Sequence, residues 1–79
     1  MISYKFRQNE DYERMIAYLG KECFINKCST LFQPTYEKNN TAVIIDISPG
    51  IANFIGEEKN IESLIQGMKE NKVRLEVMN

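Results

Sequence analysis

Residues 2–7 alternate cleanly. Ile2, Tyr4 and Phe6 fall on one side, and Ser3, Lys5 and Arg7 on the other. A period of two predicts a half-buried strand. The period then changes. Tyr12, Met15, Ile16 and Leu19 recur at i, i+3, i+4 and i+7, which is one face of a helix. Asn9 suits the N-cap, and Glu10, Asp11 and Glu13 suit the positive N-terminal end. Gly20 predicts the stop, although a continuation through Cys23 would keep the same face.

The clearest pattern lies in residues 31–47. A two-residue turn at Asn39-Asn40 sets Tyr36 opposite Val43, Pro34 opposite Ile45 and Phe32 opposite Ile47. The other side then holds Gln33, Thr35 and Glu37 opposite Asp46, Ile44 and Ala42. A one-residue slip would mix the two sets, so this register is specified. Pro34 has no N–H to give a ladder, which predicts that the first strand of the hairpin lies at a sheet edge.

Ser48-Pro49-Gly50 breaks the pattern. Two readings follow. Ser48 caps a short helix carrying Ile51, Phe54 and Ile55, or Pro-Gly turns the chain into another short strand; the helix over 49–55 is the preferred reading. Glu57 and Glu58 open a longer helix whose buried stripe is Ile61, Leu64, Ile65 and Met68. Lys69 and Lys72 suit its negative end, and Gly67 on the flank costs about 1 kcal/mol relative to alanine. Val73, Leu75 and Val77 then alternate with Arg74, Glu76 and Met78 as a last strand.

The order strand, helix, strand, strand, helix, strand predicts an α+β fold: a β-α-β-β-α-β ferredoxin-like two-layer sandwich, with both helices on one face of an antiparallel sheet. Right-handed crossovers give the spatial order last, first, third, second, with the 73–77 strand at the second edge. The 79 residues make a single α+β domain, 1–79. A chain this short buries only about 60% of its unfolded surface, so a partner subunit is an expected source of stability.

Composition narrows the function. With 43% hydrophobic and 27% charged residues the chain folds rather than staying disordered. A net charge of −1 weighs against general nucleic-acid binding, which depends on an excess of Lys and Arg. No run nears the roughly 18 apolar residues of a membrane span. No apolar block follows Lys5 and Arg7 as in a signal peptide, so a cytoplasmic protein is expected.

The chain has no histidine and two cysteines, Cys23 and Cys28. Structural zinc takes four ligands, so neither a metal nor another cofactor is expected, and the cysteines read as reduced, partly buried small hydrophobes. Without histidine, no nucleophile, base and orienting group assemble, so an enzyme is not expected. The predicted open face carries Ser3, Lys5, Arg7, Ala42, Ile44 and Asp46, none of them aromatic, which argues against base stacking.

The segment Asp46-Ile47-Ser48-Pro49-Gly50-Ile51 loosely resembles the Asp-x-Pro-Gly turn of ACT regulatory domains. That resemblance implies a small-ligand-sensing regulatory domain as an alternative. The segment has one extra residue between Asp and Pro and follows the third strand rather than the first. No functional residue is carried over from the family.

Two surfaces are candidates. Arg7, Lys38, Lys69, Lys72 and Arg74 are expected to gather at one end of the sheet, as a docking site for an acidic protein, an anion or, as a lesser alternative, nucleic acid. The edge strand Val73, Arg74, Leu75, Glu76 and Val77 lacks a blunting device and suits pairing with a second copy. The expected function is a small non-enzymatic protein-interaction module, an inhibitor or regulator that binds another protein and forms a homodimer.

Overall fold

The computed structural model describes residues 1–7, 9–27 and 33–78. The elements run β1 (Ile2–Phe6), α1 (Glu10–Lys21), β2 (Ile25–Asn26), β3 (Thr35–Lys38), β4 (Thr41–Asp46), β5 (Ile51–Ile55), α2 (Glu58–Glu70) and β6 (Leu75–Val77). The strands form one six-stranded sheet in the order β2-β3-β4-β5-β1-β6, and every pairing is antiparallel. The α+β class and the two-layer arrangement match the sequence pattern. The strand order departs from the ferredoxin-like one.

The departure comes from residues 49–55, which form a strand and not a short helix. Gly50 adopts φ +78, a conformation that glycine takes without steric cost, and its N–H donates to the Asp46 carbonyl at 3.0 Å. This tight turn sends the chain back along β4, with Asp46 beside Ile51, Ile45 beside Ala52 and Val43 beside Phe54. The strand buries Ala52 and Phe54, whereas the helical reading had buried Ile51, Phe54 and Ile55. Because β5 takes the place beside β1, the Asn39-Asn40 hairpin shifts one position outward. Its register is as expected: Tyr36 lies opposite Val43, and Thr35 opposite Ile44. Phe32 and its pairing with Ile47 lie outside the described residues.

The hairpin's first strand is not at the edge. The two-residue β2 pairs with it, Ile25 beside Glu37 and Asn26 beside Tyr36. Pro34 escapes the conflict because it precedes β3, and its carbonyl accepts from the Ile45 N–H at 2.9 Å.

Helix ends also differ from expectation. Asn9 makes no side-chain cap; its carbonyl accepts from Glu13. Gly20 lies inside α1, and the left-handed residue that ends the helix is Cys23 at φ 66, with the Phe24 N–H reaching the Leu19 carbonyl. α2 ends the same way. Lys72 has φ 66, and the Val73 N–H donates to Met68. In both helices the residue after the left-handed position is a hydrophobe that turns back onto the core, the contact this motif favours.

The core lies between the sheet and both helices. It comprises Phe6, Val43, Ile45, Ala52 and Phe54 from the sheet, Met15 and Leu19 from α1, Ile61, Leu64, Ile65 and Met68 from α2, and Val73. Tyr4 meets Phe54 edge-on at 5.8 Å between centroids. Gly67 explains how the helices approach. A Cβ built there would lie 1.8 Å from the Tyr18 hydroxyl oxygen, so the ring of Tyr18 occupies the space a side chain would need. Burial, with Glu22 and Glu70 nearby, raises the Tyr18 phenol above the ordinary tyrosine range.

Two outcomes follow from this contact. In an exposed helix Gly→Ala gains about 1 kcal/mol; here Gly67→Ala is expected to lower the denaturation midpoint, and adding Tyr18→Ala is expected to recover part of the loss. Chemical denaturation of the two variants checks this. The raised Tyr18 pKa also sets a sign. Its contribution is fully present below the unfolded value near 10 and is lost as pH rises through the folded value. Tyr18→Phe should therefore flatten the alkaline fall in stability, read from melting temperatures across that range.

Candidate interaction surface

The end of β1, the start of α1 and the approach to β6 meet at Asp11. Its side chain is fully buried although it carries a formal charge. The carboxylate accepts the Arg7 backbone N–H at 3.0 Å through Oδ2. Through Oδ1 it accepts the Arg74 backbone N–H at 3.3 Å and Arg74 Nε at 3.5 Å. A buried carboxylate is tolerated only when its lone pairs are met in this way. The sequence pattern assigned Asp11 to the helix N-terminus and missed its burial. The signal was there: Asp11, Met15 and Leu19 follow one another at i+4, so the acid continues the buried stripe.

Asp11 also divides the basic residues. Arg74 is bound to Asp11 and reaches Glu10 at 3.5 Å. Arg7, Lys5, Arg74, Phe6 and Glu76 line one shallow concavity, so Arg7 and Arg74 do come together. Lys72 is exposed, and its carbonyl accepts from Arg14 at 3.4 Å. Lys69 is exposed near the end of α2. Lys38 does not join them. β4 runs parallel to β1, two places away, so the turn that precedes β4 lies at the end where β1 begins. Lys38 instead stands 5.9 Å over the Phe24 ring.

The last strand is at the sheet edge, as the sequence pattern expects, but is shorter. Val73 is buried and Arg74 is held by Asp11, leaving Leu75–Val77 as strand. Tyr4 pairs with Val77, Lys5 with Glu76 and Phe6 with Leu75, and the Met78 N–H donates to the Ser3 carbonyl. In an antiparallel ladder the bonded positions alternate. Glu76 and Met78 therefore turn their backbone groups to β1, and Leu75 and Val77 turn theirs outward.

No described element covers the other face of the sheet. Register places Ile25, Glu37, Ala42 and Ile55 in one row across it, and Thr35, Ile44, Asn53 and Ser3 in the next. Ser3 donates to Asn53 there at 2.6 Å. Ile25 and Ile55 are exposed large hydrophobes on this face, and Met78 continues it at the β6 margin. None of the described strand residues on it is aromatic.

Among the described residues no cluster of three His, Cys, Asp or Glu side chains could hold a metal ion, and no helix is long and apolar enough to cross a membrane. Cys23 is a free, exposed thiol; Cys28 lies outside the described residues. Comparison with protein-family models, curated proteins and solved structures finds no match.

Replacing Asp11 tests the corner. Asp11→Asn keeps the shape but sets an NH2 group against backbone N–H donors. The expected loss is about 2–3 kcal/mol, the range for leaving buried partners unsatisfied. Glu10→Gln, at an exposed ion pair, should change stability by under about 0.5 kcal/mol. Urea unfolding of both variants compares them directly.

Proposed function

We propose that the chain is a protein-interaction module with no chemistry of its own, and that it docks by strand addition at β6. One observation carries the reading. Among the described residues β6 is bonded on one side only, and Leu75 and Val77 present their N–H and C=O groups outward at the margin of a sheet face that no described element covers. Such a row is a ready template for another strand. Side chains beside it are apolar and accessible: Val77 is 65% exposed, and Met78 is exposed as well.

The partner that suits this edge is a second copy of the chain. Antiparallel pairing about Leu75 sets Leu75 against Leu75 and brings Arg74 opposite Glu76 of the second copy, so that no like charges are opposed. Pairing about Glu76 would oppose two glutamates, so charge selects the first register. A dimer of this kind extends the six strands into one continuous sheet and removes an exposed edge. It also supplies the additional burial that a domain of this size lacks. A regulator or inhibitor that docks on another protein's sheet edge would use the same backbone groups.

The basic concavity supports this reading less well as an independent anion site. Arg74 there is already engaged by Glu10 and Asp11, and Glu76 lines the same hollow.

Sedimentation at tens of micromolar is expected to show a dimer for the native chain and a monomer for Val77→Pro. Proline at that position removes only an outward-facing donor and leaves the β1 ladder intact. A native chain that sediments as a monomer, with rapidly exchanging amides at 75 and 77, contradicts the proposal.

A further inference from the structure

A second site lies on the helix side of the sheet, at the end away from Arg7. The hairpin turn, the C-terminal end of α1 and the first turns of α2 line a half-open cavity of about 190 Å³. Its apolar walls are Phe24, Leu64 and the ring of Tyr18. Glu22 and Lys38 stand on it with opposite charges. Asn39, Asn60, Ser63 and Thr41 supply the neutral polar lining.

Two features of this cavity point to a ligand class. The first is charge. Glu22 and Lys38 face one cavity, yet no ion pair joins them to each other or to another described residue. Lys38 rests on the face of Phe24 instead, at 5.9 Å from its centroid. An anion alone would meet Glu22, and a cation alone would meet Lys38. A molecule carrying both charges satisfies both side chains at once. The second feature is size. The cavity volume is about 190 Å³. That is below the range of about 300–1,000 Å³ typical of sites for drug-sized ligands and cofactors.

We propose that this cavity binds a free amino acid with an aliphatic or aromatic side chain. Lys38 meets its carboxylate, Glu22 meets its ammonium group, and the side chain packs between Phe24, Tyr18 and Leu64. Tyr18, raised in pKa by burial with Glu22 and Glu70 nearby, remains a neutral phenol at physiological pH. The ligand contacts the hairpin and both helices together, so it braces the parts of the fold that surround the cavity. The site is at the opposite end of the sheet from Arg7 and Arg74, and it does not depend on the β6 reading.

The test is a heteronuclear NMR titration of the full chain with leucine and phenylalanine up to about 10 mM, a range in which even weak binding to the native state is visible. Saturable shifts are expected at the amides of Lys38, Asn39, Asn60 and Ser63. Isoamylamine, which lacks the carboxylate, and isocaproate, which lacks the ammonium group, are expected to bind at least about tenfold more weakly than leucine. Lys38→Met and Glu22→Gln, both at solvent-accessible positions, are expected to retain the fold and erase that discrimination, each for its own charge. The proposal is overturned if neither amino acid gives saturable shifts, if the singly charged analogues bind as tightly as leucine, or if both variants bind leucine as the native chain does.

Discussion

A single buried carboxylate holds the corner on which the candidate interface depends. Asp11 has no exposed surface, and its two oxygens take backbone N–H groups from Arg7 and Arg74, residues 63 positions apart from Asp11 in the second case. Those two bonds fix where β1 stops and where the chain leaves α2 to become β6. Without them Arg74 would have no reason to lie beside Glu10, and the three residues of β6 would rest on the β1 ladder alone. The cost of burying the charge is met because two backbone N–H groups outside the described strands and the Arg74 side chain all donate to it. For a domain of this size, with total stability of roughly 4–12 kcal/mol, one such corner is a substantial fraction of the whole.

The same corner explains why the basic residues are a weaker feature than their sequence spacing implies. Arg74 serves Asp11 and Glu10 before it can serve a ligand. Lys38 is at the far end of the sheet because β4 and β1 run the same way. What remains accessible is backbone, not charge: the outward N–H and C=O groups of Leu75 and Val77, beside Val77 and Met78. Docking there rests on hydrogen-bond geometry and apolar area. Charge enters through Arg74 and Glu76, where it selects one register over another.

Much of the fold is legible in the residues. The alternation in residues 2–7 and the sorting of apolar from polar positions across Asn39-Asn40 each admit one arrangement, because a shift of one residue exposes the whole apolar set. The stripes of both helices are equally plain. The 49–55 segment is different. Ile51, Phe54 and Ile55 satisfy helical spacing, and Ala52 with Phe54 satisfies strand spacing; only the left-handed Gly50 and the position beside β1 decide between them. β2 is two residues long, too short for any period to show. Of the candidate site, the edge position of the last strand was legible from the order of the elements, and its openness from the absence of proline in Val73–Val77. Asp11 was legible only through its i+4 spacing to Met15 and Leu19, a signal masked because an acid in the first turn of a helix already has an ordinary explanation. Gly67 belongs with it: its space is taken by Tyr18, a residue 49 positions away, and no local rule connects the two.

Amide hydrogen exchange at Arg7 and Arg74 is the most direct measurement of the central interaction. Both residues lie outside the described strands, so protection there has to come from the Asp11 carboxylate. The account predicts that both amides exchange as slowly as those of β1. Exchange at the rate of an open loop, with the β1 amides still protected, would contradict it.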